Sequence, residues 1–299
     1  MHSSPQDLIN FTYGDGDGEG AGANVLANLH SIDPDDLISR AILTPKNSYV
    51  KDVNSAAHAM CVGDEHVLLS VDTIDPNEPH PQLYTAEFLN SIVTAELPLH
   101  DMRVKVGQPI MLLRNLNTAI GLANGTRLTI DKVTKFVMLA TIRTGHQAGK
   151  KVFIPRIKCS TGGDRDLPFT FNRKQFPVRQ AFAMTINKGQ GQTLKKCTVY
   201  LPTPVFSHGQ LYVAVSRCGE RAGVKIAVRR DADDDGPTTI RNVVYKEVFD
   251  RHSIVVGTQD SGVDVNAPTP PRAARPQRPP PPRPGGLAPI RGGPGGYPQ

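Results

Sequence analysis

The spacing of apolar residues changes character twice along the chain. "RAILTP", from Arg40 to Pro45, is a short apolar run closed by a proline, which predicts a buried strand. "KNSYVKDVNSAAHAM" follows, with Val50, Val53, Ala57 and Met60 on one helical face. "HVLLSVD" reads as a second strand, and "AEFLNSIVTAE" as a helix carrying Phe88, Leu89, Ile92 and Val93. Strand and helix alternating in this way predict a layered α/β domain.

From Met102 to about Met184 the segments shorten. "MRVKVGQPIMLLRN", "TRLTIDKV", "FVMLATIR", "KVFIPRI" and "FTFN" are rich in β-branched residues and are separated by turns such as Asn124-Gly125. Short strands at regular spacing with turn punctuation predict a small β-barrel. The α/β texture then returns, with "QAFAMTI", "KCTVYL" and "VKIAV" as strands. "HGQLYVAVSR" and a closing "TTIRNVVYKEVF" are the helices of this part. The expected organisation is one α/β domain over 39–101 and 178–250, with a barrel inserted at 102–177. Residues 1–38 are weakly patterned and contain the loop "GDGDGEGAGAN", so a flexible segment is expected there.

Composition changes this picture mainly at the end of the chain. Of the 26 prolines, twelve lie between Ala267 and Gln299, with five arginines and no acid. That stretch holds five of the six net positive charges of the 299-residue chain. "PQRPPPPRPGG" cannot bury a core, so 251–299 is expected to be a disordered or polyproline-like tail. Such a tail suits a proline-reading partner or weak contact with nucleic acid. The four cysteines, at 61, 159, 197 and 218, form no CxxC pair and are expected to be reduced thiols. No apolar run reaches membrane-spanning length and no signal-peptide core opens the sequence, so an intracellular location is expected.

The chemistry is sought first in known loops. The phosphate loop G-x-x-x-x-G-K-[ST] is absent; "GHQAGKK" at Gly145 is one residue short and joins two predicted strands. Asp64-Glu65 reads as a turn. "DADDDG" at Asp231 begins like a calcium loop, but Asn242 stands where its bidentate glutamate belongs. No metal site is expected.

"INKGQGQTL", from Ile186 to Leu194, follows a predicted buried strand and leads into small residues expected to open a helix. A helix start presents backbone N–H groups and a favourable dipole to an anion. Gly189 and Gly191 permit close approach, Lys188 adds charge, and Thr185, Asn187, Gln190 and Gln192 add neutral donors. The stretch suits a nucleic-acid backbone, a nucleotide phosphate, or one on each side; an ordinary strand-to-helix turn fits as well. In "HGQLYVAVSRC", Leu211 and Val215 share a helical face, Tyr212 lies beside them and Arg217 closes the segment. Arg217 suits either an arginine finger or a cation that satisfies the helix dipole.

Together, "FAMTINKGQGQTL" and "HGQLYVAVSRC" resemble the last two motifs of the Pif-type (petite integration frequency) superfamily-one DNA helicases, including those carried by Helitron transposons. "LPLHDMRVKVGQPIMLLRNLNTAIGLANGTRL" is similar to the family's entry into its SH3-like barrel, and "RAILTPKN" to the opening of its second RecA-like domain. The resemblance runs from about Ser39 to Val228. It implies an α/β fold comprising a second RecA-like domain with an inserted SH3-like barrel. The implied parent activity is ATP-dependent, 5′-to-3′ DNA unwinding in the nucleus, with ATP and Mg2+ as cofactors and single-stranded DNA as partner. By motif, Arg217 would be the γ-phosphate finger, with Gly191 and Gln192 facing the nucleotide cleft. Thr44, Asn47, Thr185, Asn187 and Lys188 would face DNA. The first RecA-like domain, which would bring the phosphate loop, would be supplied in cis or in trans. By itself the chain is expected to be inactive as an ATPase and to bind neither cofactor. The other expectations are a stand-alone nucleic-acid-binding module and an interaction protein acting through its tail.

Overall fold

The computed structural model describes residues 4–14, 25–29, 32–94, 97–161, 167–228 and 240–245. Its first elements are α1 (Pro5–Tyr13), α2 (Pro34–Ile38), β1 (Arg40–Thr44) and α3 (Asn47–Met60). Next come β2 (His66–Leu69), β3 (Val71–Ile74), α4 (Ala86–Ser91), β4 (Asp101–Val104) and β5 (Pro109–Leu112). β6 (Arg127–Val133), β7 (Val137–Ile142), β8 (Lys151–Pro155), β9 (Ile157–Ser160), β10 (Phe171–Gln175) and β11 (Val178–Gln180) follow. The last are β12 (Ala183–Thr185), β13 (Lys196–Leu201), α5 (Gln210–Val215) and β14 (Val224–Val228).

Four of the expected strands build one parallel sheet in the order β12-β1-β13-β14. Parallel strands are covered on both faces, so they read as near-continuous apolar runs. Ala41, Ile42 and Leu43 of β1 are accordingly fully buried. α3 lies on one face through Val53 and Ala57, as its spacing predicts. Leu194, Cys197, Val199 and Ala214 build the core on the other.

α1 is an addition that the weak pattern of 1–38 concealed. Pro5 and a reciprocal Ser4–Asp7 capping box start it, and Leu8, Ile9, Thr12 and Tyr13 are buried against the sheet. Thr12 Oγ1 lies 2.6 Å from Thr198 Oγ1, and the Tyr13 hydroxyl donates to the Phe182 carbonyl at 2.7 Å. Pro5–Tyr13 is thus packed into the body, not a flexible segment. The loop "GDGDGEGAGAN" falls almost wholly outside the described residues, as does "DADDDG", and so does the tail 251–299.

Among the described residues, the segment between β1 and β12 adds no strand to this sheet. "HVLLSVD" does not join it as expected. The run breaks at Ser70 into β2, which pairs antiparallel with β4, and β3, which pairs antiparallel with β10. β11, β5, β6, β7 and β8 form a five-stranded antiparallel sheet in that order, with a register shift between Ile130 and Lys132. Its apolar face shares one core with Leu68, Met102 and Val104 of the β2–β4 ribbon. The expected 86–96 helix is shorter than its pattern: α4 ends at Ser91, and its Leu89 packs with Phe169 and Phe171. The closing helix expected at 238–249 is absent over 240–245. There the backbone bonds run to the segment before α5, Gly209 N–H donating to Val243 O and Tyr245 N–H to His208 Nδ1.

Two buried guanidinium groups tie these parts together. Arg127 of β6, fully buried, donates to the carbonyls of Ile38, Arg40 (3.1 Å) and Ala181 (2.9 Å), joining the antiparallel sheet to the end of α2, the start of β1 and the link between β11 and β12. Arg173 of β10 pairs with its cross-strand neighbour Asp72 at 2.6 Å, both side chains buried.

Candidate nucleic-acid and nucleotide-facing site

Ligands in parallel α/β sheets gather beyond the carboxyl ends of the strands, where loops replace side-by-side packing. Here those ends are Thr44 and Thr185, which are register partners on β1 and β12. Beyond them lies a cleft of about 570 Å³ lined by Asn47, Thr185, Asn187 and Lys188. Four of the five residues expected on the DNA side therefore meet in one place. Thr44 does not join them: it is fully buried, and its hydroxyl has no hydrogen-bond partner among the described residues. Pro45 carries the chain out, and Asn47, the first residue of α3, takes the exposed position.

The helix start that faces the cleft belongs to α3. Its N-cap, Lys46, makes no side-chain cap bond, so the first-turn N–H groups and the positive end of the dipole stay available. "INKGQGQTL" contains no helix. Ile186–Gly191 is a run of turns that consumes its own donors. The N–H of Gly189 bonds the Thr185 and Ile186 carbonyls, that of Gln190 bonds Asn187, and that of Gln192 bonds Gly189. The expected backbone cradle is thus replaced by side chains around the cleft.

The two glycines serve different ends. Gly189 is buried, and a Cβ there would stand 3.2 Å from both Ile186 O and Leu43 Cδ2, so it allows the turn to lie on β1. Gly191 has φ +77° with open space around it, a left-handed conformation that other residues adopt only with strain. Lys188 reaches across to the antiparallel part, its Nζ 3.2 Å from Asn124 Oδ1.

Lys46, Arg179 and Phe206 also line the cleft, and sequence reading passed over all three. Lys46 sat unused inside "LTPKN"; Arg179 arrives from the three-residue strand β11 and Phe206 from a loop, neither with a distinguishing pattern. Arg179 donates to the Thr94 and Leu97 carbonyls, and its burial lowers its pKa. A wider groove of about 1280 Å³ shares Asn47 and Arg179 and extends along α3 to His58 and Arg103. There His58 Nε2 bonds Glu65 Oε1 at 2.7 Å, holding the Glu65 carboxyl below the usual range, with Arg103 also near.

On the other side of the turn, Gln192 and Arg217 meet. Arg217 Nε donates to Val213 O at 2.8 Å, Nη1 to Gln192 O at 3.4 Å and Nη2 to Ser216 Oγ at 2.9 Å. Leu194 N–H donates back to Arg217 O, which holds the two segments edge to edge. Gln192 Oε1 is buried without a partner among the described residues. Gln210 and Ala214 form the buried stripe of α5. Leu211 is only half-buried, and Val215 and Tyr212 of the expected face are exposed. Among the described residues, no cluster of three or more His, Cys, Asp or Glu is placed to hold a metal ion. None of their helices is long and apolar enough to cross a membrane.

Residues 87–133 match the family described as DNA helicase Pif1, 2B domain. The ATP-dependent DNA helicase PIF1 of Xenopus laevis is 26% identical over 212 residues, covering 66% of this chain and 28% of that protein. The human ATP-dependent DNA helicase PIF1 is 31% identical over 140 residues, 46% of this chain and 21% of that protein. A solved chain described under DNA unwinding at forked dsDNA by two coordinating Pif1 helicases aligns with a TM-score of 0.50 at 19% identity. The alignment covers 81% of this chain and 49% of that one, and it shows a shared fold. The chain thus spans less than a third of the length of these curated relatives. The family match, the relatives and the parallel-sheet fold thus agree in likening this chain to the Pif1-type superfamily-one helicases.

Proposed function

We propose that the chain is the portion of an ATP-dependent, 5′-to-3′ DNA helicase that contains its second RecA-like domain. In this reading the five-stranded sheet, with its bulge and the β2–β4 ribbon, is the inserted SH3-like barrel. One observation carries the proposal: a single turn separates two sites. Asn47, Thr185, Asn187 and Lys188 share a cleft on one side, and Gln192 meets Arg217 on the other. A motor of this kind needs that arrangement, since strand and nucleotide must feel the same small movement.

The cleft suits one strand of DNA, its phosphates held by Lys188, Asn187 and the α3 start. Arg217 and the Gln192 side chain fit the far side of a nucleotide supplied by another domain. Bound ATP with Mg2+ would supply the phosphoryl-transfer chemistry. The described residues offer the metal no acidic cluster, so its ligands belong to the domain that brings the phosphate loop. The sequence contains no such loop, so the chain alone neither hydrolyses ATP nor unwinds.

The test measures oligothymidylate binding by fluorescence anisotropy in the full chain and in a chain ending at 266. Lys188→Ala is expected to weaken binding in both. It should also flatten the dependence of log affinity on log salt, by about 0.7 for each phosphate no longer neutralised. Unchanged affinity in the shorter chain would refute the DNA-side assignment. ATP hydrolysis by the purified chain would refute the division of labour. In a protein containing both domains, Arg217→Ala is expected to slow hydrolysis by roughly 10³-fold. A near-normal rate would leave Arg217 with its structural bonds to Val213 and Gln192 alone.

A further inference from the structure

α4 is more apolar than the surface it covers. Its segment offers Phe88, Leu89, Ile92 and Val93 for burial, yet Leu89 is the one side chain of the helix that is buried. Phe88 is 46% exposed, and Leu83, in the short turn before the helix, is 70% exposed. Tyr84 and Phe88 stack with ring centres 6.2 Å apart and planes 23° from parallel. Phe169 lies beneath both, 4.1 Å from Tyr84 and 5.9 Å from Phe88, and is itself buried. The two outer rings therefore form one ledge backed by the core, and Leu83 leads into it. Grouped apolar exposure of this kind marks a contact surface, which scattered single residues do not.

The exposed charge beside this ledge is negative. From Asp52 to Met102 the chain has nine aspartates and glutamates and no lysine or arginine. Three of those acids are spent within the body: Asp72 on Arg173, and Glu65 and Asp101 on Arg103. Glu87 is exposed in the first turn of α4, directly before Phe88. Glu78 Oε1 accepts the N–H of Thr170, the residue after Phe169, at 2.6 Å. The lysines of the β3–β10–β9 sheet, Lys158 and Lys174, are register partners on the face turned away from α4, whose own side carries Phe171 and Cys159. Carboxylates repel phosphate, which sets this ledge apart from the Lys188 cleft.

Exposed, near-parallel rings suit a polyproline segment, which is stiff, makes no internal hydrogen bonds and packs its prolines on aromatic side chains. Carboxylates at the margin suit arginine, whose planar group pairs with a carboxylate through two hydrogen bonds and stacks on a ring. We infer that the Tyr84–Phe88 ledge docks an arginine-bearing, proline-rich segment of a partner protein, with prolines on the two rings and arginines on Glu78 and Glu87. None of these residues lines the Lys188 cleft, and the contact needs neither ATP nor DNA, so it does not rest on the helicase reading.

The probe is a fluorescein-labelled polyproline peptide flanked by arginines, followed by fluorescence anisotropy. The full chain is expected to bind it saturably, and binding should be lost when the arginines are replaced by glutamates or the prolines by glycines. E87K and F88A are each expected to weaken binding at least about fivefold. Glu87 is exposed, so E87K keeps the fold and the test stands even where F88A disturbs the aromatic cluster; circular dichroism checks both. Peptide binding is expected to persist in K188A, which separates this inference from the cleft assignment. An E87K affinity equal to that of the unsubstituted chain, or equal binding of the glycine peptide, would overturn the inference. Binding by a chain ending at 266 but not by the full chain would overturn the partner assignment in favour of the chain's own proline-rich stretch. A dimer that F88A converts to monomer would overturn it in favour of a second copy of this chain.

Discussion

Asp72→Asn isolates one charge in the body of the protein. Asp72 and Arg173 face each other across β3 and β10, with side chains 1% and 0% exposed. Arg173 Nε lies 3.0 Å from both carboxylate oxygens, and Nη2 lies 2.6 Å from Oδ2. Ser70 Oγ donates to Oδ1 at 2.6 Å. The same guanidinium donates to the carbonyls of Leu89 (2.8 Å), Ile92 (3.1 Å) and Pro98 (3.0 Å). It therefore pins α4 and the stretch after it, one wall of the wider groove. The substitution keeps the shape and removes the negative charge, leaving a cation in a site closed to solvent. Breaking a buried pair from one side costs about 3–5 kcal/mol. For a body of this size that lowers Tm by roughly 6–20 °C.

Urea unfolding followed by circular dichroism measures the loss, at low and at high salt. The cost should be nearly the same in both, because solvent ions screen a buried pair weakly. Arg173→Lys keeps the charge but has one ammonium for several acceptors, so a stability between those of wild type and Asp72→Asn is expected. A midpoint unchanged in Asp72→Asn, or a loss that disappears in high salt, would refute the reasoning. Hydrogen exchange supplies a local check: α4 should lose protection before the parallel sheet does.

Gly191→Ala is expected to cost roughly 1–2 kcal/mol through its positive φ alone, since no neighbour stands within 4 Å of the new methyl. Gly189→Ala acts through contact with Leu43, so a double-mutant cycle with Leu43→Val should show coupling for Gly189 and none for Gly191. Burial raises the Cys61 thiol to about 11 and the Cys197 thiol to about 12. The folded protein keeps these protons after the unfolded chain has released its own. Their contribution to stability is therefore present below about pH 9 and declines as pH rises through 11 toward 12, which urea melts at successive pH values would reveal. At pH 8 all four buried cysteines should react with a thiol reagent only slowly until urea is added, and immediate labelling would contradict this.

How far the fold was legible depended on whether a segment's neighbours mattered. Continuous apolar runs announced β1, β12 and β13, because strands buried on both faces need no alternation, and the short run of β14 announced the edge strand beside them. The α3 stripe announced itself by period. "HVLLSVD" misled because an apolar run does not name the sheet it joins. Val67, Leu69 and Val71 face outward, and the break at Ser70 sends the two halves to different partners. α1 was hidden because nine residues hold too few apolar positions to show a period.

The site divides in the same way. The residue types around the turn after β12, and Arg217 as its companion, were evident from the sequence, since charge, amide and hydroxyl chemistry are local properties. The backbone cradle expected there was not formed. Whether an N–H is spent internally depends on which carbonyl the chain brings near it, and Thr185, Ile186, Asn187 and Gly189 supplied those carbonyls. Tertiary structure likewise decided that Asn47 reaches the cleft and Thr44 does not, because the two residues between them pass from a buried strand end to an exposed helix start. By itself the sequence determined which segments had to be buried and which groups could meet phosphate. The packing of β1 against β12 decided which of those groups face a common space, because distance between side chains is set by their neighbours and not by their order along the chain.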